Sequence, residues 1–105
     1  FLKYTHKKIN LIEIKNGFAR GGHFHQTDTS HFLISGKIEY REENIKTKKE
    51  KISIISAPNI VNVNSNIAHL LIAKENTLFF EVFDNYEDTI YPKYRKIVEK
   101  LLEQS

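Results

Sequence analysis

His23 and His25 lie two residues apart in "GGHFHQTDTSHFLISG", a stretch that holds three of the chain's five histidines. On an extended strand alternate side chains share a face, so this spacing aims both imidazoles at the same side of a sheet. A metal ion needs convergent donors, and H-x-H on a strand supplies two of them. Neutral imidazole suits zinc, iron, copper or nickel. Histidine also titrates near neutrality, so acid or base chemistry is open to it. Taken as a bare pair, the two residues read first as structural or exposed side chains.

His69 changes that weighing. In "NVNSNIAHLLIA" a polar turn runs into an apolar strand that starts near the histidine. A third imidazole at the start of a distant strand can converge on the first two. His31 shares a face with Thr29 and Leu33 if its strand is regular. It reads as a replacement ligand, a partner to a ligand, a base, or a partly buried histidine bonded to a backbone carbonyl; the last reading leads. His6, in "YTHKK", reads as exposed. Arg20, just before the pair, reads by itself as one half of a surface salt bridge.

These residues need a scaffold, and apolar alternation supplies one up to about Phe83. "INLIEIK" sets Ile12 and Ile14 on one face against Leu11 and Glu13. "KIEYRE" sets Ile38 and Tyr40 against Lys37, Glu39 and Arg41. "HFLISG", "KISIISA", "IVNVN", "HLLIAK" and "LFFEVF" are further short runs, rich in β-branched and aromatic residues and separated by turn residues. Many short strands at close spacing predict an all-β sandwich or barrel. The period then changes. Tyr94, Ile97, Val98, Leu101 and Leu102 form one apolar stripe, which predicts an α-helix. Pro92 suits its first turn, with Glu87 and Asp88 just upstream. Such a stripe must cover something, and its own sheet is the expected partner, with a second subunit as the other option.

A chain of 105 residues suits one domain with a thin core. No internal repeat or glycine-serine linker suggests a second. There is no cysteine, which rules out disulfides, thiolate catalysis and cysteine-held zinc, and fits a reducing cytoplasm. The net charge is +3, and much of the lysine sits in "ENIKTKKEK" among glutamates. That pattern predicts a solvated hairpin turn and no nucleic-acid partner, since no aromatics alternate with the lysines. No apolar run approaches the roughly 20 residues that span a bilayer, so no membrane partner is expected. No signal-peptide pattern precedes the first strand-like segment.

"GFARGGHFHQTDTSHFLISG" resembles the first motif of the cupin family, G-x5-H-x-H-x3-4-E-x6-G. Gly17, His23, His25 and Gly36 match in order and spacing. "NSNIAHLLIA" is similar to the second motif, P-x-G-x2-H-x3-N, with His69 at the histidine. Asn64 stands at the proline, Ala73 at the final asparagine, and Asn66 at the glycine. Asparagine is the next-best residue for a left-handed turn position. The resemblance implies a jelly-roll β-barrel over about residues 9–84 that encloses a pocket. With a helix at about residues 92–104, the resemblance implies a single cupin domain over residues 1–105.

The resemblance also implies a divalent metal (zinc, iron, nickel or manganese) held by His23, His25 and His69. The family's glutamate would fall at Thr29, or at Ser30 if the register slips, and Asp28 is one residue early. Some cupins, thiol dioxygenases among them, hold iron with three histidines only. Thr29, Asp28 and His31 remain candidate pocket residues. A second likeness points elsewhere. "ARGGHFH" resembles the RGxH segment of metal-free cupin enzymes that epimerise or isomerise nucleotide-linked sugars. Carried over, Arg20 pairs with a diphosphate and His23 acts as a base, assisted by His25 or a tyrosine. "IAHLLIAKENTLFFEV" and "YPKYRKIV" look like stretches of cupins associated with surface polysaccharide synthesis. Three functions follow: a metal-binding cupin with a small oxygen-rich ligand, a sugar-nucleotide isomerase, and a non-catalytic module for a small carbohydrate. A nucleotide needs more wall than one small chain supplies, which predicts a homodimer.

Overall fold

The computed structural model describes residues 8–83 and 89–103. The expectations for His6, Asp84, Glu87, Asp88 and Gln104 lie outside the described residues. Strands form where the sequence alternates: β1 (Lys8–Ile14), β2 (Ala19–Phe24), β3 (Thr29–Ser35), β4 (Lys37–Asn44), β5 (Glu50–Ser56), β6 (Asn59–Val63), β7 (Ile67–Ala73), β8 (Thr77–Phe83) and β9 (Thr89–Ile90). One helix, α1 (Pro92–Glu103), follows. The strands make two antiparallel sheets, ordered β1-β8-β3-β6 and β5-β4-β7-β2-β9.

This is the expected all-β jelly roll with a C-terminal helix, and its two sheets are not closed into one continuous barrel. Among the described residues the edge strands β1 and β6 of one sheet make no ladder with β5 and β9 of the other. Side-chain packing joins the sheets instead. Ile14, Leu33, Ile38, Tyr40, Val63, Leu71 and Phe79 fill the space between them. Period-2 alternation puts these residues there: Thr29, His31 and Leu33 of β3 are buried, as are Ile38 and Tyr40 of β4.

Strand β7 breaks the alternation because both of its faces are covered. Leu71 and Ala73 face the intersheet core, while Ala68, Leu70 and Ile72 pack against Tyr94 and Val98 of α1. The helix therefore docks on its own sheet, as its apolar stripe requires. Ile97 and Leu101 join the contact, whereas Leu102 is 62% exposed. Polar clamps add to this packing. The buried Glu43 carboxylate accepts hydrogen bonds from the Tyr91 hydroxyl and from Lys93 Nζ, the latter at 2.5 Å. Tyr94 donates its hydroxyl to Glu50 at 2.6 Å. The lysine-rich segment is the turn between β4 and β5, where Asn44 Oδ1 accepts the Lys46 and Thr47 amides.

Candidate functional site

Strand β9 is two residues long and reaches only His23 and Phe24 of β2. A cavity of about 550 Å³ opens beside the uncovered start of β2 and the facing strand β1. Ile12, Ile14, Phe18 and Leu71 give it apolar walls, and Arg95, Val98 and Leu102 of α1 flank it. Its polar lining is Arg20, His23, His25, His31, His69 and Glu81, with Glu13 and Lys15 at the β1 side. Four of the five histidines thus meet at one cavity.

Two glycines make the histidine strand fit. Gly21 has φ +120°, and a β-carbon there would sit 2.6 Å from the His69 carbonyl oxygen. Gly22 has φ +84°, and its β-carbon would meet the Arg95 backbone at 2.8 Å. So β2 presses onto β7 on one side and carries α1 on the other. The β2–β7 register shifts between Gly21 and His23, after which His23 lies opposite His69. Gly21→Ala is expected to destabilise the fold by roughly 2–3 kcal/mol, from positive φ plus the backbone clash. Urea unfolding monitored by circular dichroism measures it; a loss below about 0.5 kcal/mol would show that the strands separate easily.

His25 is buried just past the end of β2, and its carbonyl accepts the Asn66 amide at 2.8 Å. Asn66 has φ 61°, the left-handed conformation for which asparagine suits the position. This link sets His25 beside His69, with ring centroids 5.1 Å apart; His31 lies 5.8 Å from His69 on the same measure. Burial lowers the His69 pKa to about 3, and the His31 and His25 rings add to the effect. His69 is therefore a neutral imidazole at pH 7.

The sequence reading missed Glu81. It lies on the inner face of β8, directly opposite His31 on β3. His31 Nε2 is 3.2 Å from Glu81 Oε2, and Arg20 Nη2 donates to Glu81 Oε1 at 3.2 Å. His31 and Glu81 are 1% and 3% exposed. Burial pushes the Glu81 carboxyl up, but hydrogen bonds from His31 and Arg20, with the Arg20 charge, outweigh it. The net result holds it well below the usual carboxylate range. The signal was present: in "LFFEVF" the glutamate occupies the same face as Phe79 and Phe83, an inward position that a carboxylate takes only with partners.

Five expectations differ from the structure in detail. His31 bonds to a carboxylate rather than a backbone carbonyl. Thr29 is buried with its hydroxyl unpartnered, but it lies outside the residues that line the cavity. Asp28 is exposed and clasps a neighbouring turn, accepting the Ser65 amide at 2.8 Å. No tyrosine lines the cavity among the described residues. Arg20 is ion-paired, yet its partner is a buried carboxylate inside the site and not a surface group.

The donor set bears on whether a metal ion fits the cavity. Nδ1 of His31 and of His69 are buried without hydrogen-bond partners, as a ligating nitrogen would be before binding. Yet among the described residues no group of three or more histidine, aspartate or glutamate side chains is arranged to hold an ion. The donors as they stand do not fit one.

No family model matches this chain, and no curated protein matches it. Solved structures do match. An oxalate decarboxylase of Bacillus subtilis, studied for its Mn(II) centres, aligns with TM-score 0.73 at 20% identity over 93% of this chain and 28% of its own. The capsular polysaccharide assembling protein CapF of Staphylococcus aureus aligns with TM-score 0.68 at 17% identity, over 77% of this chain and 23% of its own.

The fold is that of the cupins. RmlC of Streptococcus suis, solved with dTDP-D-xylose, aligns with TM-score 0.67 at 15% identity over 83% of this chain. This cupin-fold chain spans about a quarter of the length of the first two proteins and about half of the third. At these identities the likeness establishes the fold. Cupin-fold neighbours thus include one with manganese centres and one with a bound nucleotide sugar. No described helix is long and apolar enough to cross a membrane.

Proposed function

We propose that the cavity binds a small, oxygen-rich, carbohydrate-like molecule with an anionic group and moves a proton on it, as in isomerisation or epimerisation of a nucleotide-linked sugar. The observation that carries this reading is the Arg20–Glu81–His31 network inside a cavity lined by four histidines. A volume of about 550 Å³ lies within the usual range for small-molecule sites. The nucleotide sugar bound by RmlC and the capsular polysaccharide assembly attributed to CapF agree with the ligand class.

The roles follow from the chemistry of each group. Arg20 is partly exposed and supplies a planar cation for a phosphate oxygen, with Glu81 fixing its position. His23 lines the cavity and takes a proton from a carbon next to a ketone, with His25 assisting. His31 holds the Glu81 carboxylate on Nε2, so a proton arriving at its unpartnered Nδ1 is stabilised by that carboxylate. Neutral His69 donates or accepts a hydrogen bond without adding charge. The chain acts as a homodimer in the cytoplasm in this reading, the second subunit supplying wall for the nucleotide.

The test is deuterium uptake from heavy water into nucleotide-linked keto-sugars. Wild-type protein is expected to exchange a proton beside the ketone, and His23→Ala to slow that exchange by roughly 100-fold or more. No exchange above buffer with any such substrate overturns the proposal.

A second reading places a divalent ion, zinc, iron, nickel or manganese, on His23, His25 and His69. The unpartnered buried nitrogen of His69 favours it. The rings would have to re-aim to converge. Elemental analysis before and after metal loading decides: near-stoichiometric metal supports this reading, and near-zero metal in both samples removes it. No step of the proton transfer above passes through an ion.

A further inference from the structure

We propose that Arg95 of α1 is a positioning residue: its guanidinium holds the Gly21–Gly22 segment of β2, so that His23 keeps its place in the cavity. This role rests on His23 being the base of the proposed proton transfer. The strand has a weak point just before His23. Two glycines precede it, at φ +120° and +84°, and the β2–β7 register shifts between Gly21 and His23. A bulge of this kind re-aims the side chain beside it. Glycine also has the most backbone freedom of any residue, so a glycine pair by itself fixes the next side chain poorly.

The first turn of α1 supplies what the strand lacks. Along the edge of β2 away from β7, β9 pairs with His23 and Phe24 but with neither glycine. There the Tyr91 amide donates to the Gly22 carbonyl at 2.8 Å, and Arg95 Nη1 donates to the Gly21 carbonyl at 3.2 Å. The Arg95 amide bonds in turn to the Tyr91 carbonyl at 2.9 Å, so the two donors stand one helical turn apart on a stiff frame. Gly22 packs so closely on the Arg95 backbone that a β-carbon there would stand 2.8 Å from it.

That frame is itself anchored. Tyr91 and Lys93 bond to Glu43 of β4, and the buried Tyr94 bonds to Glu50 of β5. The carbonyls before His23 are thus tied through α1 to the strands on the other side of β7. Of the two donors, the Tyr91 one is backbone, so Arg95 is the one that a substitution removes. Its side chain is 39% exposed, and Tyr94 and Val98 carry the apolar docking of the helix. Losing the guanidinium therefore frees the glycine pair without undocking α1.

The test uses the full chain and two readouts. The first is deuterium exchange into a nucleotide-linked keto-sugar. Arg95→Gln is expected to lower kcat by roughly 10- to 100-fold with KM within about 2-fold, because a reacting group displaced by about 1 Å loses on the order of 100-fold. Arg95→Lys keeps an N–H donor and should stay within about 5-fold of wild type. The second readout is the NMR spectrum of the histidine rings without ligand. In Arg95→Gln the His23 signals should shift or broaden, while those of His31, held by Glu81, stay in place. Circular dichroism confirms folding, and Arg95→Met replaces Arg95→Gln if the latter does not fold. A raised KM at wild-type kcat overturns the proposal and makes Arg95 a ligand contact. His23 signals that do not move in Arg95→Gln overturn it too. If the wild type exchanges no substrate, the proton-transfer reading fails, and the spectra alone uphold or overturn the positioning of His23 by Arg95.

Discussion

Glu81→Ala should unfold about 3 kcal/mol more easily than the wild type, because it strands two partners of a buried carboxylate. Arg20 and His31 both bond to that carboxylate, and His31 is 1% exposed. Removing one member of a buried pair typically costs several kcal/mol, most of it from the group left unpaired. In a domain of this size that amounts to a melting temperature lower by roughly 15 °C. Arg20 lies partly in water, so its share is the smaller one. Glu81→Gln keeps the volume and one acceptor oxygen and should lose about half as much. Differential scanning calorimetry reads both. If Glu81→Ala melts within about 3 °C of the wild type, water already solvates the carboxylate and the network does not hold the sheets.

Acid should destabilise the protein in a window set by His69. The unfolded imidazole titrates near 6.5, whereas burial and the two neighbouring rings bring the folded value to about 3. Above pH 6.5 the group is neutral in both states and adds no slope. Between 6.5 and about 3 the unfolded chain binds a proton that the folded chain refuses, so stability falls as pH falls. The slope is about 1.4 kcal/mol per pH unit for that one proton. Below about 3 both states are protonated and the slope disappears. Glu81 acts in the same direction at the lower end. Its folded pKa is depressed, so its stabilisation is present above about 4.5 and lost as pH drops below that. His69→Asn cannot titrate and should flatten the curve between pH 6.5 and 4.5. Urea unfolding at half-unit pH steps in metal-free buffer gives the comparison. Equal slopes for wild type and variant in that interval would mean that His69 is solvated when folded.

Much of the fold was legible because period-2 alternation is a local property. Ile38 and Tyr40 were placed inward from their spacing alone, and they are buried. The C-terminal stripe predicted a helix covering a sheet, and Tyr94 and Val98 do so. It failed at Leu102, which lies at the cavity rather than on the sheet. His23, His25 and His69 were singled out by spacing and by the cupin resemblance, and all three line one cavity. Two things were not legible. Whether sheet edges join depends on hydrogen bonds between distant strands, so the strand pattern left sandwich and barrel both open. The partner of His31 depends on the β3–β8 register, which joins residues fifty positions apart.

The sequence by itself determined which side chains face inward, where the helix lies and which histidines share a side of a strand. These depend on neighbours two to four residues away. Only the tertiary structure decided that Glu81 meets His31 and Arg20, that Asp28 and Thr29 stand apart from the cavity, and that Arg95 meets the Gly21 carbonyl. A strand's own pattern sets its face, but the ladder it joins sets what stands opposite. That ladder is chosen by the packing of the whole chain.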